Sequence, residues 1–300
     1  TYPAPGVRRI QAGHASMYML DFNGLTPATN PGIFATTTNT EFTVNPNRAL
    51  IPFIHGYSVT DAQALADYQD TAIWFDQNYS NTPDLPVLVG IDWNADVFPP
   101  SVGEQNALAA GLTVGDYLSL HQATNPNSPI AIIAHSMGNI VAMEAINSAN
   151  TTTSRLFIQS YLAIQAAVPL IALDPHLNPL ARFQESLDIN IVRSLVLTIN
   201  PGDQVLLGFG LVTTLGARAY SLTNPSNYDF IVGNVGLNSP GTTNNVSINI
   251  GGGGTPFGHH SFNPMNSLPV AQQITNMLRQ SPYNLIPNPP PPLSDPGSPV

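Results

Sequence analysis

A serine at a sharp strand-to-helix turn is the residue of this sequence best placed for chemistry. Residues 129 to 146 pass from a β-branched apolar run through the pentapeptide AHSMG, residues 134 to 138, into a helical pattern. The small residues Ala134 and Gly138 permit the tight turn of a nucleophile elbow, in which the serine hydroxyl stands above a sheet. Ser136 would then lie at a helix N-terminus, where free N–H groups and the helix dipole favour developing negative charge. The segment therefore predicts Ser136 as a nucleophile.

A serine hydroxyl is a weak nucleophile at neutral pH. It needs an imidazole to accept its proton and a carboxylate to orient that imidazole. Two aspartates follow late strands: Asp203 comes after the apolar run 194–199 through a Pro-Gly turn, and Asp174 comes after the preceding strand region. Two adjacent imidazoles, His259 and His260, precede the last helical pattern. The residues alone thus offer two candidates for each role.

A carbonyl attacked by this serine becomes an oxyanion, which needs two N–H donors. The backbone of Met137, directly after the serine, is one candidate, and the backbone of Tyr57, in the HGY turn that ends the apolar run 49–56, is the other. The Tyr57 ring would form one wall of a substrate pocket. Trp93, at the end of the next apolar run, either lines the same face of the sheet or packs in the core. The remaining histidines have no metal-ligand spacing, so no metal is expected.

Alternating strand and helix patterns position these residues. Two capping boxes, Thr60 to Gln63 and Ser101 to Glu104, predict where two helices begin. Strands that alternate with helices indicate a parallel sheet with right-handed crossovers. The predicted strands are 49–56, 87–93, the segment before Ser136, 161–168 and 194–199, and the first and last predicted helices are 61–77 and 267–280.

Three regions depart from this pattern. The N-terminal segment, with SMYMLDF at 16–22 and EFTV at 41–44, favours antiparallel edge strands. Residues 204–258 are rich in Gly, Asn and Leu, and we expect a loop-rich excursion over one face of the sheet. Residues 281–300 contain a proline run and are expected to form an extended tail or linker toward a larger multidomain protein.

Composition excludes several classes of protein. A chain of 300 residues with 43% hydrophobic residues can bury one extended core, and we expect a single domain over residues 1–280. The eight basic residues are all arginine and the formal net charge is −10, so no basic patch can neutralise nucleic-acid phosphates. The absence of cysteine excludes disulfides and thiolate metal sites. No apolar run approaches the length of a transmembrane span.

The chain also carries signs of export. Only 9% of its residues are charged, and Asn, Thr, Ser, Gly and Pro supply a polar but uncharged surface. The first residue is Thr1 rather than Met, which suggests a processed mature form or an excised segment. We therefore expect a secreted or cell-surface protein.

Longer stretches resemble a known superfamily. The pentapeptide AHSMG is similar to that of small bacterial lipases with Ala in the first small position. Together these residues resemble the α/β-hydrolase superfamily over about residues 45–280. The pattern FIHGYSVTDAQALADY, then a strand ending in Asp92-Trp93, then IAIIAHSMGNIVAMEAI, is similar to a group of bacterial α/β-hydrolase-like proteins. Asn139 departs from many lipases, which have a second glycine there. The resemblance implies an α/β-hydrolase fold, a mostly parallel central sheet flanked by helices.

The resemblance also implies roles for the candidate residues. In this superfamily the chain order is nucleophile, acid, base, with the acid after a late strand and the base before the last helix. His259 and Asp174 stay open as alternatives for the base and the acid. The implied roles are Ser136 as nucleophile, Asp203 as acid, His260 as base, and the Tyr57 and Met137 backbones as oxyanion donors.

These roles imply a serine hydrolase that cleaves carboxylic esters through an acyl-enzyme, without a cofactor. The substrate would be a small-molecule, lipid or polymeric ester. An amidase or acyltransferase with the same triad is an alternative. A non-catalytic binding or adhesion module on the same scaffold is another, favoured by the proline-rich tail and the uncharged surface. The complete set of Ser136, Asp203 and His260 argues against that module.

Overall fold

The computed structural model describes the parts of the chain that carry the sheet and its flanking helices. These are residues 8–12, 15–20, 49–79, 86–150, 156–175, 178, 181–201, 203–206, 244–249, 264 and 268–279. The predicted strand at 41–44, most of the excursion at 204–258 and the predicted tail at 281–300 lie outside the described residues.

The described residues form one eight-stranded sheet with the order β1-β2-β4-β3-β5-β6-β7-β8. β1 and β2 form an antiparallel hairpin, and β2 also pairs antiparallel with β4. The strands from β3 to β8 pair in parallel. The predicted architecture, a mostly parallel sheet with antiparallel N-terminal strands, is confirmed. The strands are β1 (Arg8–Ala12), β2 (Ala15–Leu20), β3 (Leu50–Ile54), β4 (Val87–Trp93), β5 (Ala131–His135), β6 (Ser160–Ile164), β7 (Ser194–Ile199) and β8 (Asn244–Asn249).

Helices follow the strands, and their starts test the two capping boxes. The first capping box is confirmed, because the Thr60 N–H donates to Gln63 Oε1 at 2.9 Å and the Gln63 N–H donates to Thr60 Oγ1 at 3.3 Å. The second, at Ser101 and Glu104, was wrong: α2 begins at Pro100 with Pro99 as its N-cap. Proline suits the first helical position, where its missing N–H costs nothing and its φ is already helical. The helices are α1 (Asp61–Tyr79), α2 (Pro100–Thr124), α3 (Gly138–Ala149), α4 (Leu170–Leu173) and α5 (Leu268–Arg279).

Both faces of the central strands are buried, because helices cover the sheet on both sides. In β3, Leu50 and Ile54 belong to one hydrophobic cluster, while Ile51 and Phe53 belong to another. The first cluster joins the sheet to α2 and α3, and the second joins it to α1 and α5. Successive residues of a strand point to opposite faces, so a strand covered on both faces needs an unbroken apolar run. This is why β3, β4 and β5 are predominantly apolar in the sequence, with Asp92 and His135 only near the ends of β4 and β5.

The structure differs from the sequence-based expectation at two strands. β6 ends at Ile164 rather than continuing to residue 168, because Gln165 has a φ of 42°, which takes the chain out of the sheet. β8 lies inside the region expected to be an excursion and pairs along its length with β7. Within the described residues, no helix combines the length and apolarity needed to cross a bilayer.

Candidate active site

The carboxyl ends of five neighbouring strands bring the polar residues of the site to one edge of the sheet. Asp92 lies near the end of β4, His55 directly follows β3, and Ser136 directly follows β5. Gln165 follows β6, and Asp203 follows β7 after a short turn. Parallel strands place all their carboxyl ends on the same side of a sheet, which is where ligands bind in open α/β folds. Residues distant in sequence are therefore collected at one edge.

Ser136 occupies the turn that the sequence predicts. Its φ is 52°, in the left-handed region, and the residue is buried, with 6% of its surface exposed. The Ser136 N–H donates to the Ile164 carbonyl at 2.9 Å, and the Ser136 carbonyl accepts from the Ala167 N–H at 3.0 Å. The turn is thus bonded on both sides to the segment that leaves β6. α3 begins two residues later, at Gly138, so Ser136 lies at the N-terminal end of that helix.

Glycines allow the turn after β3 to lie against the elbow. A Cβ at Gly138 would be 2.3 Å from the His55 carbonyl oxygen, and a Cβ at Gly56 would be 2.9 Å from Ser136 Cβ. A Cβ at Gly138 would therefore collide with backbone, and a Cβ at Gly56 would be too close to Ser136 unless one of the two segments shifted. Ala134, at the first small position of the elbow, is fully buried. The backbone of the HGY turn therefore lies directly beside the serine.

Asn139 braces the elbow at the position where many lipases have a second glycine. Its Nδ2 lies 3.2 Å from the Ala134 carbonyl, 3.0 Å from the Ser136 carbonyl and 3.4 Å from the Ile164 carbonyl. Its Oδ1 accepts the Tyr161 hydroxyl at 2.7 Å. The side chain is fully buried. The asparagine thus bonds the carbonyls on both sides of the turn to the neighbouring strand.

A buried histidine organises the start of the HGY turn. His55 Nε2 lies 3.0 Å from Asp92 Oδ1 and 3.2 Å from the Trp93 backbone nitrogen, and its Nδ1 lies 2.9 Å from the Gly56 carbonyl. The Trp93 indole stacks on the imidazole with ring centroids 5.6 Å apart, and its Nε1–H donates to the His55 carbonyl at 2.9 Å. Trp93 is only 2% exposed, so its interactions are those of a core aromatic, and contact with a substrate stays a prediction.

The rest of the turn is held by the segment that follows β4. The Ser58 N–H donates to the Ala95 carbonyl at 3.0 Å, and the Tyr57 hydroxyl donates to the Val97 carbonyl. The Tyr57 ring covers Gly103 of α2, where a Cβ would be 2.7 Å from the ring. Burial, together with the charge of Asp96, raises the pKa of the Tyr57 hydroxyl. These contacts fix the backbone that the sequence predicts as an oxyanion donor.

The two candidate acids have different surroundings. Asp203 is fully buried; its Oδ1 accepts the Val205 N–H at 3.0 Å and the Leu206 N–H at 3.1 Å, and its Oδ2 accepts Gln165 Nε2 at 2.6 Å. Asp174 is also buried and forms the C-cap of the short helix α4. Asp203 therefore has a carboxylate oriented by three donors at the strand edge that carries Ser136.

The candidate bases His259 and His260 lie outside the described residues, so their pairing with Ser136 stays a prediction. Met137 is described and buried, and it directly precedes α3. The described residues hold no cluster of three or more side chains suited to a metal ion.

Sequence reasoning missed three contributors to this edge. The HGY motif contained His55, but only the turn was interpreted, not the imidazole. Asn139 was visible as a departure from the lipase pattern, which is a usable signal. Gln165 carried no signal, because its partner lies 38 residues further along the chain.

A comparison with protein families agrees with this fold. The family model described as "Alpha/beta hydrolase of unknown function (DUF900)" matches residues 32–183. No curated protein matches the chain.

Similar solved structures include two esterases and a lipase. The Pyrococcus furiosus esterase Pf2001 is 12% identical with a TM-score of 0.41, over 90% of this chain and 89% of that chain. The Thermogutta terrifontis esterase Est2 is 10% identical with a TM-score of 0.44, over 93% of this chain and 95% of that chain. The Bacillus licheniformis lipase BlEst2 is 14% identical with a TM-score of 0.39, over 77% of this chain and 93% of that chain. The family model described as DUF900 matches about half of this chain. The chain therefore belongs to this family of alpha/beta hydrolases.

Proposed function

We propose that this protein is a serine hydrolase that cleaves carboxylic esters through an acyl-enzyme intermediate. One observation carries the proposal. Ser136 stands at a left-handed turn after β5 at the start of α3, and Asp203 is buried after β7, two strands further along the same edge, with its carboxylate held by three donors. A catalytic triad needs this arrangement, with the nucleophile at a helix N-terminus and the acid held in a fixed orientation.

The proposed reaction has two halves. The Ser136 hydroxyl transfers its proton to His260 as its oxygen bonds to the ester carbonyl carbon, and Asp203 holds the imidazole in the correct tautomer. The Tyr57 and Met137 N–H groups hold the oxyanion. The intermediate then collapses, and the alcohol leaves with the proton from the histidine. Water, deprotonated by the same histidine, attacks the acyl group and releases the acid and the serine.

A fluorophosphonate probe, which labels activated serines, tests the nucleophile. The wild type is expected to label and to hydrolyse p-nitrophenyl esters, and Ser136→Ala is expected to do neither. Ser148→Ala is the matched control: Ser148 lies on the same helix, where its hydroxyl donates to the Ala145 carbonyl at 3.2 Å. A folded wild type that neither labels nor hydrolyses any ester of a chain-length series would overturn the proposal and favour the non-catalytic module.

The base and the reaction class need separate measurements. His260→Ala is expected to abolish ester hydrolysis while His259→Ala retains it; the reverse result would reassign the base and leave the mechanism standing. Assays with p-nitroanilides, and with acceptor alcohols beside water, would reveal an amidase or an acyltransferase. Hydrolysis of p-nitroanilides, or acyl transfer to alcohols, that is faster than hydrolysis of p-nitrophenyl esters would contradict ester cleavage as the main activity.

A further inference from the structure

Gln165 lies where β6 ends, between the strand that carries Ser136 and the strand that precedes Asp203. It is fully buried, and its φ of 42° falls in the left-handed region. A residue with a side chain adopts that conformation only at a cost in free energy that glycine avoids. Strained backbone of this kind concentrates at functional sites.

The backbone of Gln165 is bonded to β7, and its neighbour is bonded to the elbow. Its N–H lies 3.0 Å from Thr198 Oγ1 and 3.2 Å from the Thr198 carbonyl. The carbonyl of the preceding residue, Ile164, accepts the Ser136 N–H. The position of Gln165 is thus fixed relative to both the nucleophile and the strand that precedes the acid.

The side chain of Gln165 acts on the acid itself. Its Nε2 donates to Asp203 Oδ2 at 2.6 Å, while the backbone N–H groups of Val205 and Leu206 bond to Oδ1. A carboxylate only accepts, so the amide must present its nitrogen rather than its oxygen. Donors on both oxygens fix the plane of the carboxylate. The Gln165 amide is the one side-chain donor among these three bonds.

We propose that Gln165 is a positioning residue for the acid of the catalytic triad. Its amide holds Asp203 Oδ2 so that the carboxylate stays aligned with the catalytic imidazole, although Gln165 touches no reacting atom. The inference rests on the proposed role of Asp203. Misalignment of the acid slows the chemical step and leaves substrate binding intact, because the acid acts only through the imidazole.

Gln165→Met is the primary test. Methionine has similar length and volume, lacks the donor, and bears the same backbone cost at this φ. We expect kcat for a p-nitrophenyl ester to fall about 10- to 100-fold while KM stays within about twofold. Gln165→Glu, which places an acceptor against an acceptor, is expected to lose more. Gln165→Gly removes the backbone cost but also lacks the donor, so its kcat is expected to equal that of Gln165→Met. Full activity in Gln165→Gly would mean that the side-chain amide has no positioning role.

A double-mutant cycle separates positioning from a general structural effect. If the glutamine acts through the acid, Gln165→Met is expected to cause no further loss of kcat in an Asp203→Ala background. Gln273→Met on α5 is the matched control, the same substitution at another buried glutamine, and is expected to keep wild-type kcat. If Gln165→Met does not fold, Gln165→Asn replaces it in the cycle, because asparagine tolerates positive φ but is one methylene too short to reach the carboxylate.

The outcomes keep the two proposals apart. A wild type that labels with fluorophosphonate, together with a Gln165→Met variant of unchanged kcat, overturns this inference alone. The inference is also overturned if the losses of kcat caused by Gln165→Met and Asp203→Ala multiply in the double variant. A folded wild type that neither labels nor hydrolyses esters overturns the proposed function and this inference with it.

Discussion

The Tyr161 hydroxyl donates to Asn139 Oδ1 at 2.7 Å, and this fully buried pair joins β6 to the first turn of α3. Burial raises the pKa of Tyr161 well above its ordinary value, so the hydroxyl keeps its proton and remains a donor at physiological pH. With its oxygen bound in this way, the asparagine turns its Nδ2 toward the carbonyls around Ser136. The pair therefore couples the turn at Ser136 to the neighbouring strand.

Tyr161→Phe tests this coupling. The substitution removes the donor and leaves a buried amide oxygen unsatisfied, which is expected to lower the free energy of unfolding by about 1–3 kcal/mol. Because the elbow loses its brace, we also expect the rate of ester hydrolysis to fall about three- to tenfold. Urea unfolding and steady-state kinetics measure the two effects.

Tyr68→Phe is the matched control for Tyr161→Phe. Tyr68 is also buried, and its hydroxyl donates to the Phe53 carbonyl at 2.6 Å and to the Ile91 carbonyl, but it lies in the cluster on the other face of the sheet. The Tyr68→Phe variant is expected to lose unfolding free energy but to keep its rate of ester hydrolysis. Equal losses of activity in the two variants would mean that the Asn139 pair has no particular link to the elbow.

Gly138→Ala is expected to disrupt the elbow far more than a change at the first small position. Its Cβ would be 2.3 Å from the His55 carbonyl oxygen, which is backbone and is held by Trp93. We expect a loss of at least about 3 kcal/mol in unfolding free energy, or no soluble protein, because neither segment can move away. The control is Ala134→Gly, which places the usual glycine at the first small position of the elbow and is expected to cost about 1 kcal/mol of unfolding free energy. Thermal unfolding compares them, and a Gly138→Ala variant as stable as the control would contradict the close packing.

Trp93→Phe tests whether the indole positions the HGY turn, which we propose as an oxyanion donor. The ring can still stack on His55, but the Nε1–H that bonds the His55 carbonyl is lost. That carbonyl belongs to the peptide unit directly before the one that carries the Tyr57 N–H, so we expect kcat to fall about tenfold at unchanged KM. The chain has one other tryptophan, Trp74, which packs edge-on against Phe75 in α1. Trp74→Phe is expected to leave kcat unchanged, and a loss of kcat in Trp74→Phe as large as that in Trp93→Phe would count against a role specific to this turn.

Local pattern was sufficient to predict the elements that carry the site. β4 and β7 begin and end where the sequence predicts, at Val87–Trp93 and Ser194–Ile199, because strands covered on both faces are predominantly apolar. The capping box at Thr60 and the elbow at Ser136 depend only on neighbours within a few residues. Such features can be predicted from a single sequence.

Features that depend on distant partners could not be predicted. β8 has the polar sequence NNVSIN and is a strand because it pairs with β7. The end of β6 at Gln165, and the contact of that side chain with Asp203, arise only when β6 and β7 lie side by side. The same holds for His55 and Asp92, which meet because β3 and β4 are paired. A sequence pattern indicates burial and local conformation but not which side chains meet across a sheet.

His121, near the end of α2, is expected to make the folded protein less stable as the pH falls. Its side chain is buried with Nε2 3.0 Å from Ser128 Oγ, and burial lowers its pKa to about 4, against about 6.5 when unfolded. Between these pKa values the unfolded chain binds a proton that the folded chain does not. The free energy of unfolding therefore decreases as pH falls through this window, by up to about 1.4 kcal/mol per pH unit, and the histidine contributes no slope above it.

His121→Gln isolates this contribution, since glutamine can still bond to Ser128 but does not titrate. Urea unfolding at pH 7 and pH 5 is expected to show a loss of stability that is about 1–2 kcal/mol smaller in His121→Gln than in the wild type. Carboxylates elsewhere also titrate in acid, but they are common to both proteins and cancel in the difference. Equal losses in the two proteins would mean that His121 accepts its proton without unfolding, and therefore that its site opens to water in the native state.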